Sequence, residues 1–236
     1  MASEQAAKPR PRSHLSDDIL TDYASGAADE ALALLVASHL DYCPACRERL
    51  AAIEAVGGAL LESLAPVPLE RITVDSVLAR IEAEDTAGGD PAGAGAEGLS
   101  DGGWLPAPLK PYVDGIRAAS TADVEAWPWQ ALARGADMID LPVSGRSYTA
   151  LLLRLRAGTI GPRHAHRGNE LVLVMCGSFA DATGTYRCGD IAYNAPDSQH
   201  CPVAGREEDC ICLVVMDAPL RMAGRLSRLA DTLLRR

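Results

Sequence analysis

The five histidines of this 236-residue chain, with two of its seven cysteines and one glutamate, fall into two groups whose spacing suits metal binding. His39, Cys43 and Cys46 form an H-x3-C-x2-C pattern, with His14 upstream. His164, His166 and Glu170 form an H-x-H-x3-E pattern, and His200 completes the set further on. No histidine lies outside the two groups. The first group is rich in sulfur, which suits a closed tetrahedral structural zinc. The second offers three imidazoles and a carboxylate, which suits an open metal centre.

Spacing adds detail. Residues three and four apart share a helical face, so His39, Cys43 and Cys46 can meet on one helix or around a helix start. Cys43-Pro44 reads as such a start, because proline is favoured in a first turn. Thiols at a helix N-terminus are expected to have lowered pKa values, which favours the thiolates zinc requires. His14, the remaining histidine of this half, is the expected fourth ligand. The alternatives are a metal-free redox CxxC or two buried thiols. In the second group, His164 and His166 project from one face of a strand, as a chelating pair must. Glu170 and His200 are expected from neighbouring strands. Such a set accepts Zn, Fe, Mn, Ni or Cu; the alternative is a solvent-facing H-x-H with no metal. Cys176, Cys188, Cys201, Cys210 and Cys212 all lie in this second half. They read as small apolar packing or, for Cys201, Cys210 and Cys212, as oxidant-sensitive thiols close to the metal.

The elements that must position these residues change type along the chain. Residues 14–85 read as helical. Ser16-Asp17-Asp18 resembles a cap with an acidic first turn, and this helix ends near Gly26. Asp29 to Leu40 is rich in Ala and Leu, and a third helix runs from Cys43 to about Leu64, with a soft point at Gly57-Gly58. After Pro66 and Pro68, Leu69 to Glu84 places Ile72, Val74, Val77, Leu78 and Ile81 roughly on one helical face. So short a bundle has little core, and a zinc staple would supply what the core lacks. Residues 86–103, dominated by Gly and Ala, read as a flexible linker. From Trp104 the pattern becomes short apolar runs between turn residues, at Tyr148 to Leu155, Leu171 to Met175, Phe179 to Ala182 and Cys210 to Met216, which points to an all-β sandwich or barrel. Residues 219–236 read as a basic C-terminal helix, and residues 1–13 as a disordered start.

The bulk numbers exclude some functions. The formal net charge is -10. Residues 1–85 hold 7 basic and 15 acidic side chains, so most of the acidity sits there. That argues against direct nucleic-acid binding, which needs Lys and Arg at phosphates, and is compatible with a basic protein partner. The start lacks the apolar stretch of a signal peptide, and no apolar run reaches membrane-span length. The chain reads as cytoplasmic with no membrane partner. An odd cysteine count there argues against a disulfide framework.

On these residues the chain resembles two families in series. Residues 14–85, with His14 upstream of H-x3-C-x2-C, resemble a zinc-binding anti-sigma domain. Gly158, His164-x-His166, Glu170 and Gly177 match the first cupin motif position for position. The second cupin motif is partial: Gly189-Asp190, Pro196 and His200 are in place, while Asp197-Ser198-Gln199 replaces the expected glycine and Ala204 the frequent asparagine. Joined by a linker, the pair is similar to the ChrR family of anti-sigma factors. The resemblance implies a small all-α zinc-stapled bundle, residues 14–85, followed by an all-β cupin jelly-roll barrel, residues 104–218. It implies that the bundle inhibits an extracytoplasmic-function sigma factor, that the cupin releases it on oxidative stress such as singlet oxygen, and that each site holds Zn2+. It also raises interest in Cys210 and Cys212. The competing expectation is a cupin-type metal-dependent dioxygenase carrying a regulatory zinc module; a passive metal store fits poorly, because two sites offer little capacity.

Overall fold

The computed structural model describes residues 10–67, 72–86, 104–116, 124–145, 147–219 and 221–222. Helices α1 (Asp17–Ala24), α2 (Glu30–Tyr42) and α3 (Pro44–Glu62) open the chain, followed by α4 (Val74–Thr86) and α5 (Lys110–Ile116). Each of the first three begins on a side chain that accepts a free N–H of the first turn. Ser16 accepts from the Ile19 amide, Asp29 from Ala31 at 3.1 Å, and the Cys43 sulfur from the Cys46 amide at 3.4 Å. Pro44 opens α3 as expected, and that helix runs unbroken through Gly57 and Gly58.

The second half is antiparallel. One six-stranded sheet has the order β1 (Gln130–Ala133), β2 (Ala136–Asp140), β3 (Thr149–Leu155), β11 (Cys210–Met216), β5 (Glu170–Cys176) and β8 (Ile191–Asn194). A three-stranded sheet joins β10 (Val203–Ala204), β6 (Ser178–Ala180) and β7 (Thr185–Arg187). Another joins β12 (Arg221–Met222), β4 (His164–Ala165) and β9 (Gln199–His200). The expected β-rich cupin unit is present, built as three sheets; no single closed barrel forms among the described residues.

Alternation along the long strands assigns each residue to one of two cores. Cys210, Cys212, Val214 and Met216 of β11 face the cupin interior with Val172, Val174 and Phe179. Ile211, Leu213 and Val215 face outward and join Leu152, Leu171 and Leu173. That outer face is covered. Leu20 of α1, Leu32, Leu35 and Val36 of α2, and Leu109 and Val113 pack in the same core. The helical unit thus completes its small core on the cupin sheet, which is why β11 is apolar on both faces.

Three expectations need correction. Residues 10–13, read as part of a disordered start, are tied down: the Arg12 and Ser13 amides donate to Asp190 Oδ1 at 2.6 and 3.1 Å. Residues 104–116, assigned to the β unit, are largely helical and pack on α2, where the Tyr42 hydroxyl donates to the Trp104 carbonyl. At the C-terminus, Arg221 and Met222 of the expected helix pair with β4 as a strand, and residues 223–236 lie outside the described residues. α4 stands off the bundle, with residues 72–83 exposed throughout. The expected linker lies almost wholly outside the described residues.

Polar contacts lock the helical unit to the β unit. Glu30 accepts from the Tyr112 hydroxyl at 2.6 Å and from the Ser144 amide at 2.6 Å, with the Ser144 hydroxyl on the same carboxylate. Hydrogen bonds from the Ser144 side chain, then Tyr112, then the Ser144 amide hold its pKa at about 2, against an ordinary 4.5. A carboxyl lowered in the folded state stabilises it above the ordinary carboxyl range, and that contribution is lost as pH falls through the folded value. Glu30→Gln should therefore remove part of the stability loss between about pH 4.5 and about pH 2, read from denaturant midpoints; identical pH slopes for wild type and variant would contradict this.

Candidate metal centres

In the first quartet, chain entry and helix starts bring the ligands together. His14 precedes α1, His39 lies in the last turn of α2, Cys43 caps α3 and Cys46 sits in its first turn. His14 Nδ1 lies 3.2 Å from Cys43 Sγ and 3.7 Å from Cys46 Sγ, and His39 Nε2 lies 3.3 Å from Cys46 Sγ. Bonds of the length zinc makes to nitrogen and sulfur put tetrahedral ligands about 3.3–3.8 Å apart. All four ligand atoms lie within 4.8 Å of one another, and the donor set fits a zinc site. Arg49 clamps the His14 segment by donating to the Leu15 carbonyl at 2.7 Å and to Asp17 Oδ1 at 3.0 Å.

The second ring nitrogen of His39 settles its tautomer. Nδ1 is 3.0 Å from the Gly189 carbonyl, which can only accept, so Nδ1 carries the hydrogen and Nε2 is free to ligate. Burial, first among the causes, lowers the His39 pKa to about 4, so the ring is neutral, as a ligand must be. The lowered thiol pKa expected from the helix start is not found at Cys46: burial raises it, ahead of every other influence, and the Leu15 backbone, then Arg49, oppose this only in part. A bare thiolate is therefore disfavoured there, and a bound dication supplies the charge that stabilises it.

The second quartet is gathered inside the cupin from β4, β5 and β9. His164 and His200 are register partners across β4 and β9, and His166 falls just beyond β4. Glu170 opens β5. His164 Nδ1 donates to the Pro162 carbonyl at 2.9 Å, and His200 Nδ1 to Asp181 Oδ2 at 2.7 Å. The Nε2 atoms of His164 and His200 face each other at 2.7 Å. His166 Nε2 and His200 Nε2 lie 3.8 and 3.9 Å from Glu170 Oε2. Neither ring nitrogen of buried His166 has a hydrogen-bond partner among the described residues, which suits a metal ligand. Burial lowers His164 and His166 to about 4 and raises Glu170, whose Oε2 accepts from Asn194 at 2.8 Å. The donors fit a divalent cation, and an apolar pocket lined by Met138, Leu151, Val172, Phe179 and Val214 opens onto them.

Both expected quartets are thus assembled. Their outer partners, Asp181, Asn194, Gly189 and Asp190, went unassigned by the sequence reading; only Gly189-Asp190 carried a signal, as part of the second cupin motif. The cysteines are all unbonded. Cys210 and Cys212 share a strand face with sulfurs 3.6 Å apart, fully inside the cupin core. The hydrogen bond from Cys210, then burial, pushes the Cys212 thiol well up, which opposes thiolate chemistry. Cys201 is half-buried, its thiol on the Gly161 carbonyl at 3.3 Å.

Comparison with known proteins bears on the whole chain. A family model described as the ChrR cupin-like domain matches residues 117–219, and a zinc-finger model matches residues 17–47. The anti-sigma-E factor ChrR of Cereibacter sphaeroides is 40% identical over 224 residues, 95% of this chain and 98% of that one. The chain belongs to the ChrR family of anti-sigma factors. A ChrR-family chain from Rhodobacter sphaeroides, crystallised in complex with SigE, superposes with a TM-score of 0.73 at 39% identity, covering 88% of this chain and 100% of that one. The zinc-finger match starts after His14, so the fourth ligand of the ChrR-type quartet rests on geometry.

Cys43→Ser should lower bound zinc by about one equivalent per chain while leaving metal in the cupin quartet, measured by elemental analysis. Unchanged stoichiometry, or loss of metal from both sites together, would contradict separate centres.

Proposed function

We propose that this chain is an anti-sigma factor whose helical unit binds and inhibits an extracytoplasmic-function sigma factor and whose cupin unit releases it under oxidative stress such as singlet oxygen. His14, His39, Cys43 and Cys46 hold a structural zinc. His164, His166, Glu170 and His200 hold a second divalent metal, zinc in the ChrR reading, which polarises its ligands and fixes their geometry. The chain works in the cytoplasm and contacts no nucleic acid directly. Among the described residues no helix is long and apolar enough to cross a membrane.

The observation that carries this reading is apolar surface left open beyond the zinc clip, on a chain matched end to end by an anti-sigma factor. Val56, Leu60, Leu61 and Leu64 on and just past α3 are 62–70% exposed. Val74, Val77, Leu78 and Ile81 on α4 are 41–74% exposed. A concentration of exposed aliphatic residues on two helices is the mark of a protein-binding surface. The acidic balance of residues 1–85 suits a partner with basic, DNA-binding surfaces. The same end-to-end likeness favours a regulator over a cupin dioxygenase. In the cupin, the apolar pocket admits a small neutral oxidant more readily than an ion.

Binding of the full chain to an extracytoplasmic-function sigma factor from the same organism tests this. Leu61→Asp with Ile81→Asp should weaken binding by about tenfold or more, because a charge would be desolvated at the interface. His164→Ala with His166→Ala should still bind the sigma factor yet gain no further release when singlet oxygen is generated. Normal release in that double variant would remove the sensing role, and normal binding by the aspartate variant would remove the proposed surface.

A further inference from the structure

The two metal quartets are joined by one short strand. β8 begins directly after the turn Cys188-Gly189-Asp190 and ends at Asn194, a span of about 13 Å. At its first end the turn touches the zinc clip twice. The Gly189 carbonyl accepts from His39 Nδ1, and Asp190 Oδ1 accepts the amides of Arg12 and Ser13, the residues leading into His14. Asp190 is 3% exposed, and its other oxygen accepts from the Arg187 amide at 2.9 Å, so the carboxylate shapes the turn and anchors the clip together. At the far end, Asn194 donates to Glu170 of the cupin quartet. Glu170 and Asn194 are register partners across β5 and β8.

Two further features make this strand suited to transmit. Among the described residues β8 is the edge of the six-stranded sheet and is paired there on one side only, so a small shift breaks fewer ladder bonds than in a central strand. Gly189 adopts a φ of +89°, and a Cβ there would lie 2.8 Å from Pro11 Cγ and 3.1 Å from Tyr42 Cβ. The absent side chain is what allows the cupin turn to reach the zinc ligands.

We propose that β8 and its leading turn form a strut between the quartets, in which Gly189 and Asp190 are positioning residues for His39 and His14, so that the state of the cupin site sets how firmly the helical unit holds zinc. Outer partners of ligating histidines commonly govern about 10–100-fold in metal affinity. Linkage is reciprocal, so zinc in the clip also steadies β8 and the Asn194–Glu170 contact. The inference rests on the zinc reading of the first quartet and adds a route by which the cupin acts on it.

The test uses the full-length, metal-loaded chain and follows alkylation of Cys43 and Cys46 under chelator, read peptide by peptide in a mass spectrometer. Gly189→Ala should speed alkylation by about tenfold. Arg12→Pro, which removes one amide donor to Asp190 and leaves the cupin unaltered, should speed it in the same direction and keeps the test open if the Gly189 variant does not fold. Emptying the cupin quartet through His164→Ala with His166→Ala should also speed it, and Asn194→Ala should abolish the difference between the loaded and emptied cupin. Rates for Arg12→Pro and for the emptied cupin within about twofold of wild type would overturn the strut. Wild-type chain that carries no zinc on Cys43 and Cys46 would instead overturn the zinc reading beneath it.

Discussion

One imidazole stands at the junction of everything described above. His39 offers Nε2 to the sulfur pair and Nδ1–H to a carbonyl of the cupin turn, and it is buried between them. The constraint comes from the tetrahedral zinc that the quartet fits. A tetrahedral ion accepts four ligands in one arrangement, and here they come from the segment before α1, the end of α2 and the start of α3. Cys43 is the economical member of the set: it ends α2, caps α3 and stands in the quartet. Moving any one ligand therefore moves a helix end.

That constraint explains why so small a helical unit has a defined shape, and it is not alone in supplying one. The outer face of the cupin sheet provides the rest of the core, with Leu213 and Val215 beneath Leu35 and Val36. Strand alternation sends one set of side chains inward to a metal pocket and the other outward to the helices. A β-strand so placed is sensitive to both sides. The cupin unit and the helical unit are thus packed as neighbours, and α4 with the last turns of α3 is left uncovered among the described residues.

Much of this was legible in the chain itself, because the features concerned are local. The H-x3-C-x2-C and H-x-H-x3-E spacings each depend on a helix or strand period, and both quartets assemble as expected. Ser16 marked a helix start as a cap, and Pro44 as a first-turn proline, both for local reasons. Packing between distant segments was not legible. Nothing in Gly189 or Asp190 announces a contact with residues some 150 positions away. The Cys46 thiol departs from its local expectation for the same reason: a helix start lowers a thiol pKa, but burial under α1 and α2 outweighs it. The strand at Arg221 and Met222 overrides a helical pattern because β4 offers unpaired backbone. Asp181 and Asn194 are ordinary polar residues in sequence and acquire their roles only when β8 and the loop after β6 fold over the quartet.

The most direct measurement is X-ray absorption at the zinc edge of full-length protein carrying His164→Ala and His166→Ala, so that the helical quartet is the remaining high-affinity site. The account predicts a mixed first shell, with two sulfurs at about 2.3 Å and two nitrogens at about 2.0–2.1 Å. A shell of nitrogen and oxygen without sulfur, or a protein that folds and inhibits with no zinc at all, would contradict it.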